Sequence, residues 1–313
     1  MVQRPSGLRG RRSNLRQPAR LRPGAVIGIA APASPFQPEA LRSGVEVLRS
    51  MGFDVVVPEG VFARLRHLAG TDAERAALLE SLMLDDRVDA VMCARGGYGC
   101  LRILPLLDYP AMAARPKPLI GFSDVTALLA AVGERCRMVT FHGPLVTTLP
   151  TASDRTVQSF RDALMSAEPA TFRLGKGTTL RAGTAAGPVC GGNLTTLCHL
   201  VGTPYMPRFR NRILFLEDRG EAPYRIDRML AHLKTAGCME GLRGLVLGSF
   251  EDCGSPGDVL EVADDLLRGT GFPILAGFEA GHTDPNLTIP FGSQAVLDAG
   301  EGILRVDPGT CDP

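Results

Sequence analysis

The chain has 313 residues, a formal net charge of +1, 45% hydrophobic and 21% charged residues. This is an ordinary globular balance, long enough to bury a large core and to divide into two domains. No apolar stretch approaches transmembrane length and no basic stripe with interleaved aromatics runs through the body, so neither a membrane nor a nucleic-acid partner is expected.

The near-neutral total hides an asymmetry at the start of the chain. Residues 1–22 carry seven arginines and no acid, which leaves about −6 on the rest. Their Gly, Pro, Ser and Gln content predicts a disordered basic tail. Arg11-Arg12 ahead of Ala25–Ala33 has the order of a twin-arginine export signal. The apolar run is short, however, and Pro18, Arg20, Arg22 and Pro23 intervene. Val26–Ala31 reads better as the first buried strand.

Leu41, Val45 and Leu48, spaced i, i+4, i+7, predict a helix that ends at Met51-Gly52. Phe53–Val57 is the second predicted strand, and Thr71-Asp72-Ala73-Glu74 opens a helix over 71–84 with a capping-box pattern. Val88–Cys93, Leu119–Phe122 and Met138–Phe141 follow as strands. A helical stripe of Val125, Leu128, Leu129 and Val132 lies between the last two. Short apolar strands separated by helices predict parallel pairing through right-handed crossovers, hence an α/β fold with a doubly wound, flavodoxin-like sheet over residues 23–150. Ligands of such sheets gather beyond the carboxyl ends of the strands, where Arg95-Gly96-Gly97 and Ser123 emerge.

Composition shifts after Pro150 to Thr, Ser, Gly and Arg, so 151–185 reads as a crossing with one helix near 156–166. From 186 to 313 the chain mixes strand-like Ile213–Leu216, Leu245–Phe250 and Ile274–Phe278 with two helices. One carries Ile226, Met229, Leu230 and Leu233, and the other lies around 257–267. A smaller, β-rich α+β domain is expected. The eight cysteines form no C-x-x-C pair, which argues for reduced thiols and a cytoplasmic protein rather than a disulfide framework or zinc cage.

Three segments where apolar runs meet polar turns can carry chemistry: Gly121-Phe122-Ser123-Asp124, Leu216-Glu217-Asp218 and Gly281-His282-Thr283-Asp284. A serine hydroxyl needs an imidazole to take its proton, and the imidazole needs an anion to fix its tautomer. Taken singly, each has a plainer reading. Ser123 at a strand-helix junction is an N-cap, and Glu217 a solvated strand end. His282 with Asp284 has the H-x-D spacing of a metal pair. Arg95-Gly96-Gly97-Tyr98-Gly99 reads as an oxyanion-binding loop, a glycine turn or a phosphate cradle, although it lacks the G-K-[ST] ending of a P-loop. Alternation puts Glu217 and Asp218 on opposite sides of their strand, so only one faces a given cleft. His142 is the rival base, while His67, His199 and His232 are expected to be structural.

Six segments in this order resemble the L,D-carboxypeptidase family of serine peptidases, which includes murein tetrapeptide carboxypeptidases and microcin-immunity hydrolases. They are the Ala-Pro-rich first strand, Ala94–Gly99, Gly121–Asp124, Gly191-Gly192-Asn193-Leu194, Leu216–Asp218 and Gly281–Asp284. The resemblance implies a triad of Ser123, His282 and Glu217 split across domains, with backbone N–H groups of Gly97 and Asp124 as the oxyanion hole. It implies release of the terminal D-alanine from a murein tetrapeptide in wall recycling, without a metal or cofactor, by a homodimer. Arg95 would clamp the substrate carboxylate, and Asn193 would bind its amides. Immunity members instead cut aminoacyl or peptidyl nucleotides and use a tryptophan for the base. This chain has none, leaving Tyr205 or Phe209 as substitutes. A non-catalytic two-domain binding protein is the remaining alternative.

Overall fold

The alternation read in the first half becomes β1 (Val26–Ala30), α1 (Pro38–Ser50), β2 (Asp54–Val56), α2 (Asp72–Leu84), β3 (Ala90–Cys93), α3 (Cys100–Ile103), α4 (Tyr109–Ala114), β4 (Leu119–Gly121), α5 (Thr126–Cys136) and β5 (Thr140–His142). The structure, a computed structural model, describes residues 15–174 and 178–312. These five strands are parallel in the order β2-β1-β3-β4-β5, the flavodoxin-type winding. β3 and β4 are buried along their whole length because the sheet is covered on both faces. Ala90 and Met92 pack into one core with Ile27, Leu41 and Leu48. Val91 and Cys93 point into another with Leu79, Leu128 and Val132.

Gly44 sits mid-helix where a better helix former would be expected, and the reason is a close approach. A Cβ there would strike the Val146 carbonyl, since α1 lies directly on the turn Val146–Thr151. Gly44→Ala should therefore lose about 2–3 kcal/mol to overpacking, more than the roughly 1 kcal/mol of helix propensity it gains. Urea unfolding checks the sign, and a more stable variant would refute the contact.

Next, α6 (Asp154–Met165) closes over the first sheet, with Phe160 and Leu164 in the core that holds Ile27. The second half supplies β6 (Ala170–Arg173), β7 (Thr178–Arg181), β8 (Thr184–Asn193), α7 (Leu194–Leu200), β9 (Ile213–Arg219), α8 (Pro223–Thr235), β10 (Gly244–Glu251), α9 (Pro256–Leu266) and β11 (Ile274–Ala276), then β12 (Ile289–Phe291), β13 (Gln294–Asp298) and β14 (Ile303–Val306). A second sheet runs β6-β14-β13-β8-β9-β10-β11-β7. Its central strands β8 to β11 are parallel and the flanking ones antiparallel.

The strand-rich character expected here is present, but this sheet has eight strands against six in the first. Residues 151–185, read as a crossing, already contain β6 and β7. Both are half-exposed edge strands built from Thr and Arg, so no apolar run announced them. The three-residue β12 returns from the second half to pair antiparallel with β5. Pro290 at its centre hides it in the sequence. Arg16 and Ala19 make bridges to Met138 and Cys311, and Leu21 is buried. Of the disordered tail expected over 1–22, residues 15–22 thus belong to the folded body instead, while residues 1–14 lie outside the described residues. All eight cysteines are free. Among the described residues no helix is long and apolar enough to cross a membrane.

Candidate active site

At the end of β4 a single 3-10 turn, Ser123–Val125, leads into α5. Ser123 occupies it at φ 63°, a left-handed conformation that costs a residue with a side chain about 1–2 kcal/mol. Such strain at a strand-to-helix turn holds a hydroxyl out at the carboxyl end of the sheet. Gly96 presses against it: a Cβ there would lie 2.9 Å from Ser123 Cβ and 3.1 Å from its Oγ. Gly96→Ala should displace the hydroxyl and cut kcat by about 10²-fold without changing the circular dichroism. Unaltered kcat would show that the hydroxyl has room to shift.

The loop carrying Gly96 and Gly97 is held from behind. Ser34 donates its N–H to the Gly96 carbonyl (3.2 Å), and its Oγ accepts the Tyr98 N–H at 3.1 Å. Arg75, 1% exposed, donates to the carbonyls of Pro32 and Gly99 and to Asp72 Oδ1. Gly97 N–H has no protein acceptor among the described residues. The Asp124 carboxylate turns inward to accept the Cys100 N–H at 2.8 Å, and burial pushes its carboxyl up. What Asp124 offers beside Ser123 is therefore its backbone N–H. Arg95 is exposed, and its guanidinium donates to the Pro35 carbonyl at 2.7 Å.

On the other side, Glu217 and Asp218 lie near the end of β9, both buried, and they meet different partners. Asp218 accepts hydrogen bonds from Asn193 Nδ2 (2.9 Å), Thr195 N–H (2.9 Å) and Thr195 Oγ1 (2.8 Å). Glu217 instead meets His282, with Oε2 2.6 Å from Nδ1, and His282 Nε2 lies 3.1 Å from Ser123 Oγ. The three residues, 65 or more positions apart in sequence, form one line of hydrogen bonds. Complete burial pushes the Glu217 carboxyl up, opposed by the His282 hydrogen bond. For His282, burial pulls the other way, but the bond to Glu217 and its charge win and raise the imidazole.

The His282 loop is tied down on both sides. Ser249 Oγ accepts the His282 N–H at 3.0 Å, and Asn286 Oδ1 accepts the Gly281 N–H at 3.0 Å. The Asp284 carboxylate takes the Ser153 N–H (3.1 Å) and the Thr156 hydroxyl (2.7 Å) at the start of α6. Burial opposes ionisation of Asp284, but these bonds hold its carboxyl below the usual range. The loop is thereby fastened to the half of the molecule that carries Ser123. Ser249 on β10, Thr156 on α6 and Asn286 in the loop before β12 escaped the sequence reading, since isolated polar residues carry no pattern.

The remaining expected residues lie elsewhere. Asn193 caps α7 through Oδ1 and donates Nδ2 to Asp218, so both ends of its amide are engaged internally. His142 is fully buried against Phe122, Phe215 and Phe291, and burial lowers its imidazole to about 3. It stays neutral behind the line rather than joining it. With Asp284 bound to α6, His282 and Asp284 do not form a ligand pair. No group of three or more His, Cys, Asp or Glu arranged to hold a metal occurs among the described residues.

A hydroxyl, an imidazole and a carboxylate in this order can pass a proton and make the oxygen a nucleophile. Residues 27–143 match the LD-carboxypeptidase N-terminal domain, and residues 186–297 match the LD-carboxypeptidase C-terminal domain. A murein tetrapeptide carboxypeptidase of Pseudomonas aeruginosa is 35% identical, covering 87% of this chain and 92% of that one. The microcin C7 self-immunity protein of Escherichia coli is 32% identical, covering 88% and 91%. A muramoyltetrapeptide carboxypeptidase from Oxalobacter formigenes superposes with a TM-score of 0.83 at 30% identity, covering 92% of this chain and all of its own. The two domains of one family match in order along a single chain, the first of them carrying the strained Ser123, and the chain belongs to the LD-carboxypeptidase family, a serine-type carboxypeptidase.

Proposed function

We propose that the chain releases the terminal D-alanine from murein tetrapeptides through a triad of Ser123, His282 and Glu217. The observation that carries this reading is the continuous hydrogen-bonded line from Glu217 through His282 to Ser123. His282 Nε2 takes the Ser123 proton as Oγ bonds to the carbonyl carbon. The oxyanion is met by the N–H groups of Gly97 and Asp124. His282 returns the proton to the departing D-alanine nitrogen as the C–N bond breaks, and water then cleaves the acyl ester by the same relay. Arg95 at the rim is the cation for the substrate carboxylate. Asn193 supports the site through Asp218, the neighbour of Glu217 on β9, rather than by touching substrate. The reading extends to a homodimer acting on wall fragments in the cytoplasm; the dimer rests on the family resemblance and the compartment on the thiol pattern, and light scattering and fractionation check them.

The likeness to the self-immunity protein favours a second reading, hydrolysis of aminoacyl or peptidyl nucleotides. That chemistry wants an open aromatic face for the base. Tyr205 stacks with Tyr109 near the far end of α5, and Phe209 is 2% exposed, so neither offers one beside Ser123. Mass analysis of products decides. The first reading expects one D-alanine lost from the tetrapeptide and an intact aminoacyl nucleotide. Cleavage of the nucleotide conjugate alone would transfer the assignment to the second.

A further inference from the structure

Away from the triad, a group of arginines gathers at the opposite end of α5. A cleft of about 600 Å³ opens there between the last turn of α5, β8 and the segment leading into β9, within the ~300–1,000 Å³ usual for small-molecule sites. Four guanidiniums line it, from Arg135, Arg137, Arg208 and Arg212, against the single carboxylate of Glu134. Arg212 is paired with that carboxylate. Arg135 lies over the rings of Tyr109 and Tyr205, at 5.8 and 5.6 Å. Among the described residues, Arg135, Arg137 and Arg208 have no acidic partner.

Like charges drawn together in a concavity repel one another, and concave walls focus the resulting field. Folding tolerates such an arrangement more readily when an anion offsets it. Part of the wall is apolar, from Leu129, Met206 and Phe291. The cleft therefore fits a small molecule with clustered negative charge at one end and an apolar portion at the other. Guanidiniums suit both phosphate and carboxylate oxygens because their planar forks bond two oxygens at once.

We propose that this cleft is a second binding site, for a compact organic polyanion bearing phosphate or grouped carboxylates. The proposal is independent of the substrate reading, since none of these arginines touches Ser123, His282 or Glu217. Its placement also has a mechanical consequence. Arg135 and Arg137 belong to the end of α5, and Arg212 immediately precedes β9. A bound anion would tie together the two elements whose far ends present Ser123 and Glu217.

Isothermal calorimetry on the full chain at about 0.15 M ionic strength, where loose surface attraction is screened, tests the proposal. Pyrophosphate probes the phosphate source and tricarballylate the carboxylate source. The expected result is one saturable site per chain for one of the two, with a matching rise in Tm. Arg137→Gln and Arg208→Gln, made singly to protect folding, should each weaken binding by about tenfold, or roughly 1.4 kcal/mol. Arg42→Ala on the exposed face of α1 should not. Absence of saturation with both probes would overturn the site, as would equal weakening by Arg42→Ala. A change in oligomeric mass in the Arg137 or Arg208 variants would overturn it in favour of a subunit contact.

Discussion

Ser123→Ala is expected to lower kcat on a murein tetrapeptide by about 10⁵–10⁶-fold while leaving KM within a few-fold and the fold unchanged. The Ser123 hydroxyl has one side-chain partner, His282 Nε2 at 3.1 Å, so its removal strands no other buried group. Alanine at φ 63° bears the same left-handed strain as serine, and stability should barely move. The catalytic loss is large because no neighbouring side chain can replace the nucleophile: the Asp124 carboxylate is turned to Cys100, and the His142 imidazole is sealed behind aromatic rings. Wild-type protein quenched during turnover should carry an acyl adduct on Ser123, seen by peptide mass analysis. An alanine variant retaining a tenth of the activity would remove the serine mechanism, and so would activity that disappears on chelation.

The parallel strands of the first sheet were readable because they are short, mostly apolar and separated by helices. Thr71 forms both bonds of the capping box that its sequence announces, and the stripe of Leu128, Leu129 and Val132 is buried as its spacing required. The second sheet was harder for physical reasons. β6 and β7 are polar edges, and β8 carries glycines and a proline over ten residues. In the first sheet the same difficulty holds for β12, which owes its place to a partner strand more than 140 residues away. Periodicity sees local burial, whereas these strands exist because distant ones complete them.

At the site, alternation along β9 separated Glu217 from Asp218 before any coordinates were known, because pleating allows only one of two neighbours to face a cleft. His142 and His282 could not be ranked that way. Both follow strands, and what distinguishes them is the aromatic wall around one and the carboxylate beside the other. Asn193 presents the same limit. Its position near the strand ends was visible, but its bonds to Asp218 and Thr196 depend on a helix start and a strand end meeting in space.

Glu217→Gln keeps the size of the buried side chain and should still lower kcat by about 10⁴-fold. The carboxylate accepts from His282 Nδ1 at 2.6 Å, which leaves Nε2 unprotonated and free to receive the serine proton. A glutamine amide can present its NH₂ group instead, and the proton then sits on Nε2, facing Ser123 in the wrong tautomer. The pH dependence separates this from general damage. The wild-type imidazole is raised above 6.5, since the Glu217 bond and charge outweigh burial. Attack needs the neutral form, so kcat/KM should rise with pH and inflect above 6.5. In the variant burial is the largest influence left on the ring, with the charges of Asp218 and Arg219 acting in opposite directions, and the inflection of the residual activity should move down. Stability follows the same linkage. The folded values of both Glu217 and His282 are raised, so their contribution is fully present below the unfolded carboxyl value near 4.5. It falls as pH rises through the two folded values. Urea unfolding between about pH 4 and pH 9 should show this decline in the wild type and a shallower one in Glu217→Gln. Identical slopes in the two proteins, or a kinetic inflection that does not move, would mean that Glu217 does not govern the charge of His282.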